Sequence, residues 1–256
     1  MSAARLTQRQ QEPLGWLWHA GGMSELPAPR PRPAVWVPTA LVVVLLVAIA
    51  GVFIRDSAAA NQAELSFLHD LSAMHTPLLT PLALAINTGF GPVGAVIVSL
   101  IVAVVIGVSA GGAWPAVRFG LLVAVPWLVV DIVKAVVSRP RPDASVLVEQ
   151  LIREPASASY PSGHTAFATA LGVALVWTVL SRTRRGVPIA IAVLVAAVLA
   201  LVTAWSRMYL GVHHPTDVTA SLLLVPVVST AVFAVAESLV AARASRVPRG
   251  SGDPLS

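Results

Sequence analysis

The sequence predicts an all-α membrane protein that crosses the bilayer six times. Of its 256 residues, 56% are hydrophobic and 11% are charged, whereas about a quarter of an average soluble domain is charged. The mean hydropathy of +0.80 agrees with this class. The chain has too few charges to cover a soluble surface and too many apolar residues to be disordered over most of its length. The absence of cysteine excludes a disulfide framework, a zinc–thiolate site and a cysteine nucleophile.

The N-terminal part divides into a polar tail and a first membrane span. Residues 1–33 are polar and rich in Pro, Gln and Arg, which predicts a disordered cytoplasmic tail. The apolar run at 34–54 has about the 20 residues that are needed to cross a bilayer. It starts too late and is too long for a cleaved signal peptide, so we expect a retained transmembrane helix.

The segment at 56–75 has a mixed character. Leu65, Leu68 and Leu71 recur at helical spacing, and Glu64 is one of the polar residues among them. This pattern predicts an amphipathic helix that lies in the membrane interface.

The remaining spans follow from long apolar runs. Residues 76–117 contain no Asp, Glu, Lys or Arg. We place the second span at 93–109 and expect the apolar stretch before it to lie in, or dip into, the outer interface. Four further runs predict spans at 119–137, 164–181, 187–205 and 217–241. The six-span membrane domain is therefore expected over 34–241, followed by a basic cytoplasmic tail at 242–256.

The distribution of basic residues predicts the orientation. With both termini in the cytoplasm, 11 of the 17 basic residues lie on the cytoplasmic side, as the positive-inside rule requires. The other six are Arg55, Lys134, Arg139, Arg141, Arg153 and Arg207. Because these bases lie on the outer side, they need another explanation.

Three clusters of polar residues supply that explanation. They are Lys134 with Arg141-Pro142, then Pro161-Ser162-Gly163-His164, and finally Ser206-Arg207 with His213 and Asp217. The first two lie at the ends of the loop between the third and fourth spans. The last lies two crossings later, so all three are expected at the same membrane face.

The clusters have the composition of a phosphate site. Lys134, Arg141 and Arg207 are three cations at one face of the membrane, where they need acidic partners or an anion. Ser162 and Gly163 precede a predicted helix, whose free N–H groups and positive dipole end favour an anion. Together these groups predict a cradle for phosphate.

Two histidines are expected to face this cradle. Asp217 follows His213 by four residues and can accept a hydrogen bond from its Nδ1–H, which leaves the Nε2 lone pair free. An imidazole oriented in this way can act as a nucleophile. His164 can then protonate the departing oxygen. These residues suffice for phosphoryl transfer without a metal.

The three clusters resemble, at every defining position, the signature of the type-2 phosphatidic acid phosphatases, or lipid phosphate phosphatases. The same site occurs in the soluble vanadium haloperoxidases. The resemblance covers roughly residues 54–240. It implies that His213 is the nucleophile and forms a phosphohistidine, with Asp217 as its partner and His164 as the acid. It also assigns phosphate binding to Lys134, Arg141, Ser162, Gly163 and Arg207.

The expected function is hydrolysis of a lipid phosphate or diphosphate at the outer membrane face. The expected partners are this substrate and the membrane lipids, and no cofactor, metal or nucleic acid is expected. The sequence does not indicate an oligomeric state. Two alternatives remain open. One is a phosphotransferase that passes the phosphoryl group from the same intermediate to an alcohol, and the other is a transporter or scaffold without catalysis. A haloperoxidase does not fit a chain this apolar.

Residues close to the clusters are expected to be structural. We expect Arg139 to be an interfacial anchor rather than a contributor to the electrostatic field around the phosphate. We also expect Asp131 to form an ion pair with Lys134, and His214 to point away from its catalytic neighbour. In the segment at 147–154, apolar and polar residues alternate. This segment is expected to form an interfacial helix or a lip that guides a lipid into the site.

Overall fold

The structure is a computed structural model that describes residues 31–154 and 157–246. Within these ranges the chain forms eight α-helices and a 3₁₀ turn at Ala144–Val146. The helices are α1 (Pro33–Asp56), α2 (Ala58–Ser72), α3 (Leu79–Gly89), α4 (Pro92–Ala110), α5 (Ala113–Val137), α6 (Gly163–Leu180), α7 (Gly186–Tyr209) and α8 (Pro215–Arg246). Most of the predicted N-terminal tail and the last ten residues of the C-terminal tail lie outside the described residues.

Six helices in the described part of the chain are long and apolar enough to cross a membrane, namely α1 and α4–α8. Their outer faces carry large exposed apolar side chains such as Leu41, Leu100 and Val198. A soluble protein does not expose contiguous apolar faces of this kind. The predicted all-α architecture is confirmed, and the six predicted spans correspond to six candidate membrane-spanning helices.

Several helices extend beyond their predicted ends. Helix α5 begins at Ala113 rather than 119, because Arg118 is accommodated inside the helix by an ion pair with Glu237 of α8. Helix α7 continues to Tyr209 rather than 205, which places Arg207 on its last turn. Apolar runs alone therefore underestimate the length of a helix whose terminal turns carry a charged residue.

The region between α1 and α4 contains two shorter helices. The predicted amphipathic helix is present as α2, and its N-terminus is capped by Ser57, whose Oγ accepts the N–H of Ala60 at 3.3 Å. The apolar stretch after it forms α3, which packs against α4 and α7. The second span predicted at 93–109 is confirmed as α4.

Helix α6 lies at the centre of the bundle and packs against α5, α7 and α8. It approaches α7 closely at Gly172, where a Cβ would lie 2.8 Å from the Cα of Ala196. Small residues at such crossings let membrane helices pack tightly. The central position of α6 brings its N-terminus next to the ends of three other spans.

Candidate active site

The three polar clusters meet at one end of the bundle, as their order along the chain predicts. The N–H of Ser162 donates to the backbone oxygen of Asp217 at 3.1 Å. A guanidinium nitrogen of Arg141 donates to the backbone oxygen of Val212 at 3.0 Å. A Cβ built on Gly163 would lie 3.5 Å from Nζ of Lys134. These contacts join α5, α6, α7 and α8 around a single site.

The first feature of the site is a pair formed by His213 and Asp217. His213 lies on the turn after α7, where Gly211 has a φ of 68° that suits glycine. Asp217 lies in the first turn of α8. The Nδ1 atom of His213 is 3.3 Å from Oδ2 of Asp217, and both side chains are buried. The predicted contact between these two residues is therefore present.

The hydrogen bonds of His213 define its tautomer. Its Nε2 atom lies 3.3 Å from a guanidinium nitrogen of Arg141, which can only donate, so Nε2 carries the lone pair. Nδ1 then carries the hydrogen and donates to Asp217. Burial holds the pKa of His213 well below its ordinary value, although the contact with Asp217 opposes this shift. The imidazole is therefore neutral at neutral pH, with its lone pair directed towards the cations.

His214 does not point away from the pair, so that expectation is wrong. Its backbone N–H donates to Oδ2 of Asp217 at 2.9 Å, and its Nδ1 atom lies 3.4 Å from the same oxygen. The tight turn before α8 folds both histidines around one carboxylate. Sequence spacing does not show this, because the rule that neighbours point apart holds for extended strands rather than turns.

The second feature is a group of cations beside His213. Arg207 is fully buried and Arg141 is half-buried. Among the described residues, no acceptor contacts Nε of either arginine. Lys134 is also half-buried and forms no ion pair within 4.0 Å in that part of the chain, so the predicted pair with Asp131 is absent. Donors in such positions are suited to an anion with several oxygens.

Glu154 lies among these cations, and sequence reasoning missed it. Its carboxylate is 2.5 Å from Arg207 and 3.5 Å from Arg141. Burial alone raises the pKa of Glu154, but the two guanidinium groups outweigh this and hold the pKa below its ordinary value. Glu154 is therefore ionised and neutralises part of the positive charge.

The third feature is the N-terminus of α6. Ser162 is the N-cap, and its buried Oγ accepts from the N–H of Thr165 at 3.5 Å. The next residues, Gly163 and His164, form the first turn. Nε2 of His164 lies 3.1 Å from the backbone oxygen of Asn87, at the end of α3. Since a carbonyl only accepts, this nitrogen carries a hydrogen.

Arg139 was expected to be an interfacial anchor, and this expectation is wrong. Its side chain is 1% exposed and donates to Oδ1 of Asp217 at 2.8 Å. A second donor contacts Glu64 of α2 at 2.5 Å. The chain separations of 78 and 75 residues explain why no local pattern revealed these pairs.

The segment at 147–154 does not form the interfacial helix that its alternating pattern suggested. It is irregular after the 3₁₀ turn, and Leu147 packs against Gly211. Leu151 and Ile152 pack against the apolar residues around Tyr209. This packing outweighs the helical pattern, holds the segment over the turn before His213 and places Glu154 next to the cations.

Comparison with known proteins agrees with the site. A family profile described as the PAP2 superfamily matches residues 115–240. This range contains all eight residues that the sequence predicts for the site. This part of the chain belongs to the PAP2 superfamily. The resemblance inferred from the three clusters is thereby confirmed.

Among PAP2 relatives, the undecaprenyl-diphosphatase BcrC of Bacillus subtilis (strain 168) is 36% identical over 95 residues. The aligned part covers 37% of this chain and 44% of BcrC, so the match spans less than half of that relative.

Two solved structures share the fold. One is described as the first transmembrane PAP2 type phosphatidylglycerolphosphate phosphatase from Bacillus subtilis. It aligns with this chain at a TM-score of 0.61 and 19% sequence identity, and the alignment covers 86% of this chain and 98% of the other. The other is LpxE of Aquifex aeolicus, which aligns at a TM-score of 0.52 and 22% sequence identity. That alignment covers 71% of this chain and 98% of the other. At these identities the likeness concerns the fold.

Proposed function

We propose that this protein hydrolyses a lipid phosphate or diphosphate through a phosphohistidine on His213. The observation that carries this proposal is the position of His213 between Asp217 and Arg141. Its Nδ1 faces a carboxylate at 3.3 Å and its Nε2 faces a guanidinium at 3.3 Å. A neutral imidazole whose lone pair points into a group of cations is arranged to attack an electrophile that carries negative charge.

In the first step, Nε2 of His213 attacks phosphorus and the bond from phosphorus to the leaving oxygen breaks. Asp217 stabilises the positive charge that develops on the imidazole. His164 transfers a proton to the leaving oxygen. To do so, it must exchange its contact with Asn87 for the substrate.

In the second step, water attacks the phosphohistidine. His164 takes a proton from this water, the bond between phosphorus and Nε2 breaks, and inorganic phosphate leaves. His213 returns to its neutral form. The same intermediate would react with an alcohol, so the products have to be identified as well as the loss of substrate.

The cations and the N-terminus of α6 stabilise the transition state. Lys134, Arg141 and Arg207 are positioned to hold the phosphate oxygens together with the backbone at Ser162 and Gly163. Since the protein's own cations supply the charge, we propose that turnover needs no metal. Activity should persist after treatment with EDTA, and a complete loss that added metal reverses would contradict this.

We propose that the substrate is a lipid, because the site lies at one end of a bundle of helices that are long and apolar enough to cross a membrane. An apolar tail can remain in the bilayer while the phosphate reaches the cations. The relative BcrC is named an undecaprenyl-diphosphatase and the solved Bacillus structure a phosphatidylglycerolphosphate phosphatase. These names support testing a polyprenyl diphosphate first, followed by phosphatidylglycerophosphate and phosphatidic acid.

The decisive experiment is a phosphate-release assay of the purified full-length protein with these three lipids. We expect release from at least one of them, and none from a His213→Ala control. If the wild-type protein releases no phosphate from any lipid, the proposed function is wrong. Transfer of the phosphoryl group to added glycerol, without free phosphate, would identify a phosphotransferase.

We further propose that the site faces the extracytoplasmic side and that residues 34–241 form the membrane domain, between cytoplasmic tails at 1–33 and 242–256. The arginines at 182–185 support this orientation under the positive-inside rule. A topology reporter inserted within 182–185 should be cytoplasmic, and one inserted near Asp143 should be external. Detection of both reporters on one side would contradict the six-span topology.

A further inference from the structure

A second group of charges lies behind the proposed nucleophile, and the mechanism above does not use it. Arg139, 1% exposed, is held between Asp217 and Glu64. Glu64 is buried and lies on α2, which is not one of the membrane-spanning helices. Through Arg139, this short helix is thus linked to the carboxylate that contacts His213.

Arg139 occupies one oxygen of Asp217 and leaves the other for the histidine. Its Nη1 donates to Oδ1 at 2.8 Å, while Oδ2 accepts from the backbone N–H of His214 and lies beside Nδ1 of His213. A carboxylate held at both oxygens cannot rotate freely. The arginine therefore sets the direction of the bond between Asp217 and His213.

Glu64 controls the same arrangement at two points. Its Oε2 accepts from Nη2 of Arg139 at 2.5 Å, and its Oε1 accepts the backbone N–H of Thr216 at 2.7 Å. The second contact caps the first turn of α8, where Asp217 lies. Asn61, one turn earlier on α2, also accepts from Arg139 at 2.6 Å.

The charge balance gives Glu64 a role in the reaction. Glu64 and Asp217 contribute two negative charges and Arg139 contributes one positive charge, so this group of three carries a net negative charge behind His213. When His213 attacks phosphorus, its ring becomes positive, and that net charge stabilises it. Replacing Glu64 with a neutral residue would remove this electrostatic stabilisation without changing any group that contacts the phosphate.

We propose that Glu64 and Arg139 are positioning residues that hold Asp217 in the orientation and charge state required by His213. This inference rests on the proposed phosphatase function. It assigns to α2 a part in the chemical step rather than in substrate binding. A loss of either residue should therefore lower kcat and leave KM nearly unchanged.

The test uses Glu64→Gln and Arg139→Lys in the full-length protein, with the lipid on which the wild type is active. Each substitution should lower kcat by roughly 10- to 100-fold, by analogy with the loss typical of residues that orient the ligands of a metal ion. KM should stay within about twofold of the wild type. Glu149→Gln is the matched control, because that side chain is exposed and lies outside the site.

A double-mutant cycle separates this role from simple support of the fold. If Glu64 acts through Asp217, Glu64→Gln should cause no further loss of the single-turnover rate in an Asp217→Asn background. The proposal would be overturned if the rate loss of the double variant equalled the product of the two single-variant losses. It would also be overturned if kcat did not change in the single variants. If Glu64→Gln does not fold, the same cycle with Arg139→Lys decides.

These outcomes remain distinct from failure of the proposed function. A wild-type protein that releases no phosphate from any lipid contradicts the phosphatase proposal itself. An active wild type with fully active Glu64→Gln and Arg139→Lys variants contradicts only the role of α2.

Discussion

Two arginine–glutamate pairs near opposite ends of α5 use the same contact for different purposes. Arg118, near the start of α5, contacts Glu237. Arg207 contacts Glu154 at the candidate active site, to which the other end of α5 contributes Lys134. Both nitrogen–oxygen distances are 2.5 Å. Arg118 and Lys134 lie about 24 Å apart along α5 at the usual rise of about 1.5 Å per residue.

The two pairs differ in their charge balance. Arg118 meets one carboxylate and the ring of Phe233 at 5.2 Å, so its charge is matched. Arg207 shares the carboxylate of Glu154 with Arg141, and Lys134, next to Gly163, forms no ion pair within 4.0 Å among the described residues. Matched charges between helices support the fold, whereas surplus cations in a low-dielectric site attract an anion. The short contact alone does not distinguish the two roles.

The largest expected difference between these ends is in catalysis. His213→Ala should lower turnover by at least about 10⁴-fold with lipid and aryl phosphates, because the attacking atom is lost, while thermal unfolding changes little. Arg118→Met should do the reverse, with a lower unfolding temperature and retained turnover, because Glu237 loses its partner. Steady-state rates and thermal unfolding in detergent test both. An Arg118→Met protein that is stable but inactive would contradict the division.

His164 should give the next largest effect, and one that depends on the leaving group. His164→Ala should slow formation of the phosphohistidine from a lipid phosphate by about 10²–10⁴-fold, because a lipid alkoxide needs a proton to leave. A nitrophenyl phosphate should lose much less, since nitrophenolate leaves without one. Rapid-quench measurement of the burst compares the two substrates. Equal losses would mean that His164 is not the acid.

Removing one of the surplus cations should have an intermediate effect. Arg207→Met should lower kcat/KM by about 10²–10³-fold, the loss typical for one donor to a developing charge. It should also weaken inhibition by vanadate, which mimics the five-coordinate transition state. Arg118→Met serves as the control. Unchanged vanadate inhibition in Arg207→Met would exclude this arginine from the anion site.

The smallest expected effect comes from the carboxylate between the cations. Glu154→Gln should strengthen inhibition by vanadate up to about tenfold, since it removes a negative charge that competes with the anion for Arg207 and Arg141. Glu149→Gln, in the same segment, should leave the inhibition constant unchanged. Weaker inhibition in Glu154→Gln would show that the carboxylate supports anion binding instead.

The amino-acid sequence predicted the parts of this protein that depend on local composition. The six spans follow from apolar runs, because a bilayer requires about 20 residues for each crossing. The pairing of His213 with Asp217 follows from a spacing of four residues, which one turn brings together. The predicted ends of the helices were less accurate, because α5 and α7 extend beyond their apolar runs and include Arg118 and Arg207.

Only the tertiary structure decided how the remaining charges are shared. Arg139 meets Asp217 and Glu64 across 78 and 75 residues of chain, and Arg207 meets Glu154 across 53. Arg139 and Arg141 are two residues apart, yet one is held between two carboxylates and the other faces Nε2 of His213. The sequence shows which residues are charged, but the partner that neutralises each charge depends on which helices pack together. Long-range packing therefore assigns Arg139 to Asp217 and Glu64, and it leaves Arg141 beside His213, where we propose that the phosphate binds.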